Sequence, residues 1–477
     1  MTYNYNQAAR FNTDGKAQDV LISDNNAYVA DGSKGLQIID ISDPNNPTLS
    51  STYSGGNYEQ ISDLSALNSY EISMPNLPFP VSLAAMGISN LTAVYDSNTG
   101  WDILDTTNSS QIYSFLDQFQ VSFPSEFSAT TDVYLSGNYT YVADGASGLQ
   151  ITATDNVASA VMFGLPIALT TYDTPGSASG VFVEGNYAYV ADGDAGLQII
   201  NVTDPANPSL AGSYDTAMTA TDVSVSGNFA YVADGSGLEI IDISDPSAPT
   251  AAYVYEATKE TSGVSVDNNY LYVTDANAGL RVLNLIDGGA SDDSLLGNNG
   301  IKELMLGSSG ADTIKGLGGA DVLTGGGDND KLLGGGGADT MVGGTGNDTM
   351  FGGGGSDILI GVNPYEANPG AGERDILKGN AGADTFVLGD ENNIFYHDNG
   401  TTRAEGNAGR AIIKDFTIGE DIIQLSSNGT YELSEVNGST RIYETSGVSD
   451  DYIAIVSGVT SLDLTDSSQF DTVGSIL

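Results

Sequence analysis

The chain has 477 residues, enough for two to four domains with cores of their own, and it sets 62 acidic residues against 14 basic ones for a formal charge of -48. A charge of that sign and size opposes compaction unless cations are bound, and it argues against nucleic acid or an anionic membrane as partner. With no cysteine and one histidine, disulfide frameworks, thiol chemistry and zinc sites built from several histidines are excluded.

The N-terminal stretch MTYNYNQAARFNTDGK lacks a charged start followed by an apolar run, and no stretch of the chain is long and apolar enough to span a bilayer. Export would therefore need a route other than a cleavable N-terminal signal.

The first element in chain order is a repeat. It reads YVADGSKGLQIIDISDPNNP from Tyr28, YVADGASGLQITAT from Tyr141, YVADGDAGLQIINVTDPANP from Tyr189, YVADGSGLEIIDISDPSAP from Tyr231 and YVTDANAGLRVLNL from Tyr272. An eroded copy begins at Ala93, with Trp101 in the place of the leucine of G-L-Q. Asp144, Asp192, Asp234 and Asp275 fall 48, 42 and 41 residues apart, a period that points to a propeller. Within each copy apolar residues alternate with period two and are broken by turn residues at S-G-N, A-D-G and D-P, which predicts four strands per copy. These copies resemble the LVIVD-type repeat, a β-propeller motif, over about residues 17–286. The resemblance implies a six-bladed propeller that the N-terminal segment could close by pairing with the last blade. The recurrent aspartates read first as turn residues, with a ring of carboxylates at one mouth as the alternative. Residues 54–80 are surplus to the period, either a partner-binding loop or a decoration. The aromatic stretch at 112–127 reads as core.

The second element is a nine-residue repeat. Six units run without a gap over 307–360 (GSSGADTIK, GLGGADVLT, GGGDNDKLL, GGGGADTMV, GGTGNDTMF, GGGGSDILI), and GAGERDILK and GNAGADTFV resume over 370–387. Position eight is always apolar: Ile314, Leu323, Leu332, Met341, Met350, Leu359, Leu377 and Phe386. Stacked units would bury that column, and no unit could do so alone, which makes this a solenoid. Position six holds Asp312, Asp321, Asp330, Asp339, Asp348, Asp357, Asp375 and Asp384. With two units per coil they form one ladder down each edge, carboxylates about 4.8 Å apart, and such close like charges call for a cation between them. Carboxylates together with glycine carbonyls, here of Gly316, Gly325, Gly334 and Gly343, suit a hard cation with many oxygen ligands and tolerant geometry: several calcium ions rather than magnesium. These units resemble the RTX (repeats-in-toxin) calcium-binding nonapeptide G-G-x-G-x-D-x-U-x, which implies a parallel β-roll with calcium between its turns.

Two departures bear on the ladder. Residues 361–369 (GVNPYEANP) are nine long but put Asn368 at the apolar position and bring two prolines. They are either a degenerate turn using Glu366 as its acid or a loop thrown out of the roll, and the second alternative changes the side on which Asp375 and Asp384 fall. Upstream, GGASDDSLL from Gly288 looks like an imperfect first turn, with Asp293 a further ligand candidate.

After Phe386 the glycine density falls, and IIKDFTIGEDIIQL appears at 412–425. It resembles the I-x-D-F-x-x-G-x-D-x-I-x-L element that follows RTX arrays in proteins exported by type I secretion, which implies a C-terminal, uncleaved export signal. The expected organisation is all-β: propeller 1–286, roll 287–388, and a C-terminal β-rich cap and secretion domain 389–477. His397 reads as a solvated loop residue, and no HExxH, Walker or GxSxG motif occurs in a persuasive context. The sequence thus points to a secreted, extracellular or surface-associated calcium-binding protein. Its expected partners are calcium ions, the type I secretion machinery and surface or matrix components, or further copies of itself. The alternative is a secreted calcium-dependent hydrolase with its site in the propeller channel.

Overall fold

The computed structural model describes residues 9–13, 15–23, 25–31, 34, 36–53, 58–63, 71–72, 81–82, 91–96, 100–105, 131–153, 170–255, 261–267, 269–275, 279–390, 392–397, 409–445 and 451–473. The segment 112–127 lies outside them, and of 54–80 only 58–63 and 71–72 are described. Every element among them is a strand, and none is a helix able to cross a membrane. The chain divides into two compact units, one formed by Ala9–Thr250 with Val254–Val282 and the other including Leu283–Leu477.

In the first unit each complete copy of the longer repeat makes one antiparallel sheet. The copy at Tyr189 is representative: Gly180–Glu184, Tyr187–Ala191, Leu197–Asn201 and Ser209–Tyr214 pair in sequence order, with Val181 opposite Val190 and Tyr189 opposite Ile199. The Y-V-A strand is buried at Ala188–Ala191 because its sheet is covered on both faces. Neighbouring sheets supply the cover. Tyr141, Leu149 and Ile151 pack with Val181, Val183 and Val190 of the following copy, and Val20, Val29 and Ile39 of the first copy pack with Tyr272, Leu280 and Val282 of the last. The ring is thereby closed, and the N-terminal strand Ala9–Phe11 pairs antiparallel with the last copy, Phe11 opposite Leu280.

The expected count of six blades is corrected: four sheets have four strands. The eroded second copy forms a three-stranded sheet, and the last copy's strands belong to a larger sheet to which Ala9–Phe11 is added. The physical reason in the last copy is that an N-terminal strand takes the edge that a fourth strand of its own would hold, and of the eroded second copy three strands are described.

The recurrent A-D-G aspartates are buried and serve as acceptors. Asp31 and Asp192 take the N–H groups of Gly15 and Gly176 in the connection that enters their own sheet, at 2.9 and 2.7 Å, and Asp234 takes those of Ser236 and Gly237 in its own turn. A second set went unread in the sequence. The aspartate opening D-V-x-V reaches the next sheet, Asp132 accepting from Val181 N at 2.9 Å and Asp222 from Val264 N at 2.7 Å. Asp222 is pushed well above the carboxylate range by burial, then by Asp19 and Asp132.

One position varies in a way that yields a stability prediction. Gln150 and Gln198 donate to the turn carbonyls of Ser147 and Ala195, whereas the corresponding Glu239 accepts from Ala217 N at 2.6 Å and faces Asp234 and Tyr214. Burial, followed by the Asp234 charge, pushes Glu239 up to about 7. Its ionisation costs stability as pH rises from the unfolded value near 4.3 through about 7. Glu239→Gln is therefore expected to stabilise the propeller by on the order of 1–2 kcal/mol above that window and by little below it. Melting curves at pH 5 and 8.5 check this, and equal shifts at both would refute it.

The second unit is a two-sheet parallel roll. One sheet stacks Ser294–Leu296, Thr313–Gly318, Lys331–Gly336, Thr349–Gly354, Arg374–Ala381, Arg410–Ile413 and Asp451–Val456. The other stacks Glu303–Leu306, Val322–Gly326, Thr340–Gly344, Ile358–Ile360, Thr385–Val387, Ile422–Ser426 and Phe470–Val473. Ile314, Leu332, Met350, Leu377 and Ile413 align down the first, and Met305, Leu323, Met341, Leu359, Phe386 and Ile423 down the second, every one with 0% exposure. The core is therefore two facing apolar columns, as the position-eight pattern predicts.

Residues 361–369 form no strand, and pairing resumes between Thr349–Gly354 and Arg374–Ala381, a step of 27 residues between Asp348 and Asp375 instead of 18. The nine-residue break is a loop outside the coil.

Candidate metal centre

The site begins with the turn dihedrals. In seven of the eight units positions two and four take positive φ, even where the residue is Ser308, Leu317, Asp328 or Asn380; in GAGERDILK positions one and three, Gly370 and Gly372, do so. This bends the chain so that position six faces inward beside the following strand. Each aspartate then meets its counterpart one coil away. The Asp312 N–H donates to Asp330 Oδ1 (2.7 Å), Asp330 to Asp348 (2.8 Å) and Asp348 to Asp375 (2.8 Å). On the other edge Asp321 donates to Asp339 (2.8 Å), Asp339 to Asp357 (2.9 Å) and Asp357 to Asp384 (2.9 Å). With the break looped out, Asp375 joins the Asp348 edge and Asp384 the Asp357 edge.

That bond fixes Oδ1 and leaves Oδ2. In Asp312, Asp321, Asp330, Asp339, Asp348 and Asp357 the Oδ2 atom is buried with no hydrogen-bond partner. Opposite stands a glycine carbonyl from the next coil. A Cβ placed on Gly325 would strike Asp330 Oδ2 and the Gly343 carbonyl, and one on Gly343 would strike Asp348 Oδ2 and the Gly361 carbonyl. The same cradle recurs at Gly307 (Asp312, Gly325 carbonyl), Gly316 (Asp321, Gly334 carbonyl), Gly334 (Asp339, Gly352 carbonyl) and Gly352 (Asp357, Gly379 carbonyl). The carbonyl of Gly316 stands in this relation to Glu303 at Gly297. The four glycines singled out from the sequence thus all face carboxylates, and Gly352, Gly361 and Gly379 join them.

Burial, the leading cause throughout, pushes Asp348 up to about 9 and Asp330 to about 8; Asp321, Asp357 and Asp375 reach about 7, and Asp312, Asp339 and Asp384 about 6. Neighbouring carboxylates add to it, Asp375 for Asp348 and Asp339 for Asp321. A buried ladder of this kind calls for protons or cations. Its donors are oxygen only, carboxylate and carbonyl, which fits calcium and not the nitrogen and sulfur sets of zinc. Among the described residues no three His, Cys, Asp or Glu side chains converge as a metal cage, so backbone carbonyls would supply much of the coordination.

Several ladder members were not legible as such. Glu303 stands 18 residues before Asp321 and donates its N–H to Asp321 Oδ1 at 3.0 Å; the signal was NNGIKELML, with Glu at six and Met at eight. Asp421 accepts from Asp384 N at 3.0 Å, and its Oδ2 takes Thr417 N at 2.7 Å. Asp415 takes Gly379 N and Asn380 N. Asp293, by contrast, the further candidate named from the sequence, donates its N–H to Asp312 Oδ1, while its own Oδ2 accepts from Gly289 N. Glu366, the alternative acid, is in the expelled loop, and its carboxyl is raised by burial. His397 is half-buried, its Nε2 3.9 Å from buried Glu444, so the solvated-loop reading understated its surroundings.

Asp375 is the exception. Its Oδ2 accepts from the buried hydroxyl of Tyr396 at 2.6 Å, where other rungs place the next coil's carbonyl. The hydroxyl completes that rung without an ion. Tyr396→Phe is expected to destabilise the roll by about 1–3 kcal/mol, the cost of a buried acceptor left unmatched. Thermal unfolding in excess calcium measures this, and an unchanged midpoint would contradict it.

A stack of carboxylate and carbonyl rungs between parallel strands, in one chain with a ring of antiparallel sheets, defines a cation-binding roll and a propeller-like repeat. The LVIVD repeat model matches residues 14–55, 129–156, 175–216, 218–257 and 259–294, and the RTX calcium-binding nonapeptide repeat model matches 306–341, 333–362 and 369–403. The chain carries both kinds of repeat. No curated protein matches it. Among solved structures it is similar to the computationally designed protein Ika8 (9% identity, 58% of this chain and 99% of that one, TM-score 0.35). It is also similar to XC5397, a gluconolactonase from Xanthomonas campestris (8%, 58% and 87%, TM-score 0.38), and to the β-propeller domain of Myceliophteria thermophila Cps50 (Swd1) (11%, 58% and 98%, TM-score 0.39). Likeness at this level does not speak to ligand or activity.

Proposed function

We propose that this is a secreted calcium-binding protein whose nonapeptide roll is completed by calcium outside the cell and whose propeller serves binding, adhesion or assembly at a surface or in a matrix. The observation that carries the calcium reading is the set of six buried Oδ2 atoms, each without a partner and each facing a glycine carbonyl. A bound calcium ion would supply the positive charge that the ladder lacks. The protein's own part is to fix each carboxylate through Oδ1, to aim Oδ2 inward and to exclude water with the apolar columns. Asp312, Asp321, Asp330, Asp339, Asp348 and Asp357 would be ligands with the glycine carbonyls; Asp384 would take part on the Asp357 edge, and Asp375, whose Oδ2 is met by Tyr396, would hold the Asp348 backbone in place.

Export is supported by the RTX repeats, which are typical of secreted proteins, and by the IIKDFTIGEDIIQL element. The functional division follows 1–286, 287–388 and 389–477. A hydrolase in the propeller would need an acid and a base pushed apart in pKa. What gathers there is Asp19, Asp132 and Asp222, like charges engaged with backbone N–H groups, which favours the binding role.

The test is calorimetric titration of the metal-stripped, full-length protein with calcium near pH 7 in two buffers of different ionisation enthalpy. Several ions per chain are expected, with proton release. A titration without binding heat in either buffer would overturn the reading.

A further inference from the structure

The chain is short of positive charge, and what it has is unevenly placed. On the roll sheet that carries Ile314, Leu332, Met350, Leu377 and Ile413 inward, the flanking residues point outward, because successive side chains of a strand alternate. Lys315 and Lys331 flank the first two of these and are exposed. Arg374 and Lys378 lie on the fourth strand, the first exposed and the second half-buried. Arg410, itself buried, and exposed Lys414 lie on and just past the fifth, and half-buried Arg441 follows on the antiparallel strand Ser439–Glu444. These are half of the 14 basic residues of the whole chain.

Outward positions 313, 315, 331, 333, 349, 351, 374, 376, 378, 410, 412 and 414 include no aspartate or glutamate, in a chain with 62 of them. On the opposite sheet the residues just past the apolar column, Thr324, Val342 and Ile360, are buried, whereas on this sheet Lys315 and Lys414 in the same place are exposed. Among the described residues no ion pair joins Lys315, Lys331, Arg374, Lys378, Lys414 or Arg441 to a carboxylate.

The bases instead crowd one another. Lys331 Nζ lies 6.0 Å from the Phe351 ring centre, and Arg410 and Arg441 lie 5.5 and 5.0 Å from that of Tyr452. Burial, followed by Arg374, lowers Arg410. Like charges gathered on a flat face are stabilised by an anion laid across them, and the distant negative charge of the chain is screened beyond about 8 Å in physiological salt.

The shape selects the anion. The strip is one sheet face wide and crosses the strands, with rungs about 4.8 Å apart, and bases stand on every strand of the column but Thr349–Gly354, so it fits a long thin polyanion. Single-stranded nucleic acid asks for open aromatic faces on which bases stack, whereas the rings of Phe351 and Tyr452 already have cations over them. A chain of uronic acids advances by about one rung per sugar and presents a carboxylate at each step, which guanidinium groups bind through paired hydrogen bonds.

We propose that this outward face of the roll is a docking strip for an extended acidic polysaccharide, a polyuronate. It goes beyond the calcium reading, since it rests on strand alternation and side-chain identity.

The test is fluorescence anisotropy of labelled oligogalacturonate with the full-length protein in millimolar calcium, set beside a neutral dextran oligomer and single-stranded DNA of similar length. Wild type is expected to bind the oligogalacturonate in a salt-sensitive manner, and the triple variant Lys331→Gln, Arg374→Gln, Lys378→Gln to bind it roughly tenfold more weakly or worse. The variant's calcium titration should match wild type, which separates a failure of this proposal from a failure of the calcium reading. Lys414→Glu, in the residue just past its strand, gives a second measure should the triple variant fold poorly. Absence of binding, binding that both variants leave unchanged, or equally tight DNA binding would overturn the assignment. So would a wild-type dimer in sedimentation that the triple variant abolishes, since a second copy would then be the occupant.

Discussion

Metal-stripped protein at neutral pH is expected to lose most of the strand signal of its nonapeptide coils and to recover it in millimolar calcium, while the propeller keeps its own unfolding transition. At pH 7 an empty ladder would have to hold buried carboxylates whose charged forms are disfavoured, Asp348 most of all. Each filled site adds RT ln(1 + [L]/Kd), about 2.7 kcal/mol at a hundredfold excess of ion, to a stack whose members stabilise only their neighbours. The pH dependence has a definite sign. The ladder carboxyls titrate near 3.9 in the unfolded chain and at about 6 (Asp339) to about 9 (Asp348) when folded without metal. Between these values the folded state binds more protons, so calcium-free stability is greatest at low pH and falls as pH rises through that window. Acidifying metal-free protein toward pH 5 should restore part of the roll, whereas in calcium the same acidification should raise the concentration needed for half-saturation. Circular dichroism and calorimetry with chelator and with calcium, at pH 5 and 7.5, provide the check. Superimposable spectra in the two at pH 7.5 would sink it.

The second large effect separates two glycines ten residues apart. A Cβ on Gly337, whose φ is +135°, would fall on the Gly319 carbonyl of the preceding coil. The adjoining coil cannot retreat without breaking its own ladder bonds. Gly337→Ala is expected to cost about 3 kcal/mol or more and to lower calcium affinity with it. Gly327 belongs to the same kind of turn, but a Cβ there meets nothing closer than Thr345 Oγ1 at 3.7 Å. Gly327→Ala should be within about 0.5 kcal/mol of wild type. Thermal melts of the two variants in calcium decide it: equal midpoints would mean that coil contact does not govern the glycine pattern.

The roll was legible because its code is short and each position has one physical duty. An apolar residue every ninth position can only be a buried column, and an aspartate two places before it can only lie at the turn. The fate of 361–369 was not legible, because a nine-residue loop and a nine-residue coil have the same length; the prolines and Asn368 weighed for expulsion, and only strand pairing decided it. Asp421 had been noticed within its motif, but 37 residues separate it from Asp384, so no period placed it on the ladder. Tyr396 could not be foreseen, since it reaches Asp375 from a segment without repeat character. In the propeller the turns and alternation were readable, but blade completeness depends on which strand covers an edge. The crossing bonds of Asp132 and Asp222 depend on how neighbouring sheets meet, and neither is written within one copy.

The aspartate bonds also give the roll a polarity. In every pair the N–H belongs to the earlier residue and the carboxylate to the later one, from Asp293 onto Asp312 at one end to Asp384 onto Asp421 at the other. A coil therefore orients its own carboxylate only by gripping the coil before it, and its own backbone is gripped only when the next arrives. Such a stack is a one-way zipper whose last teeth need a different closure. Thr417 N on Asp421 and Tyr396 on Asp375 supply it, so the segment that follows the coils closes the stack that the coils cannot close themselves.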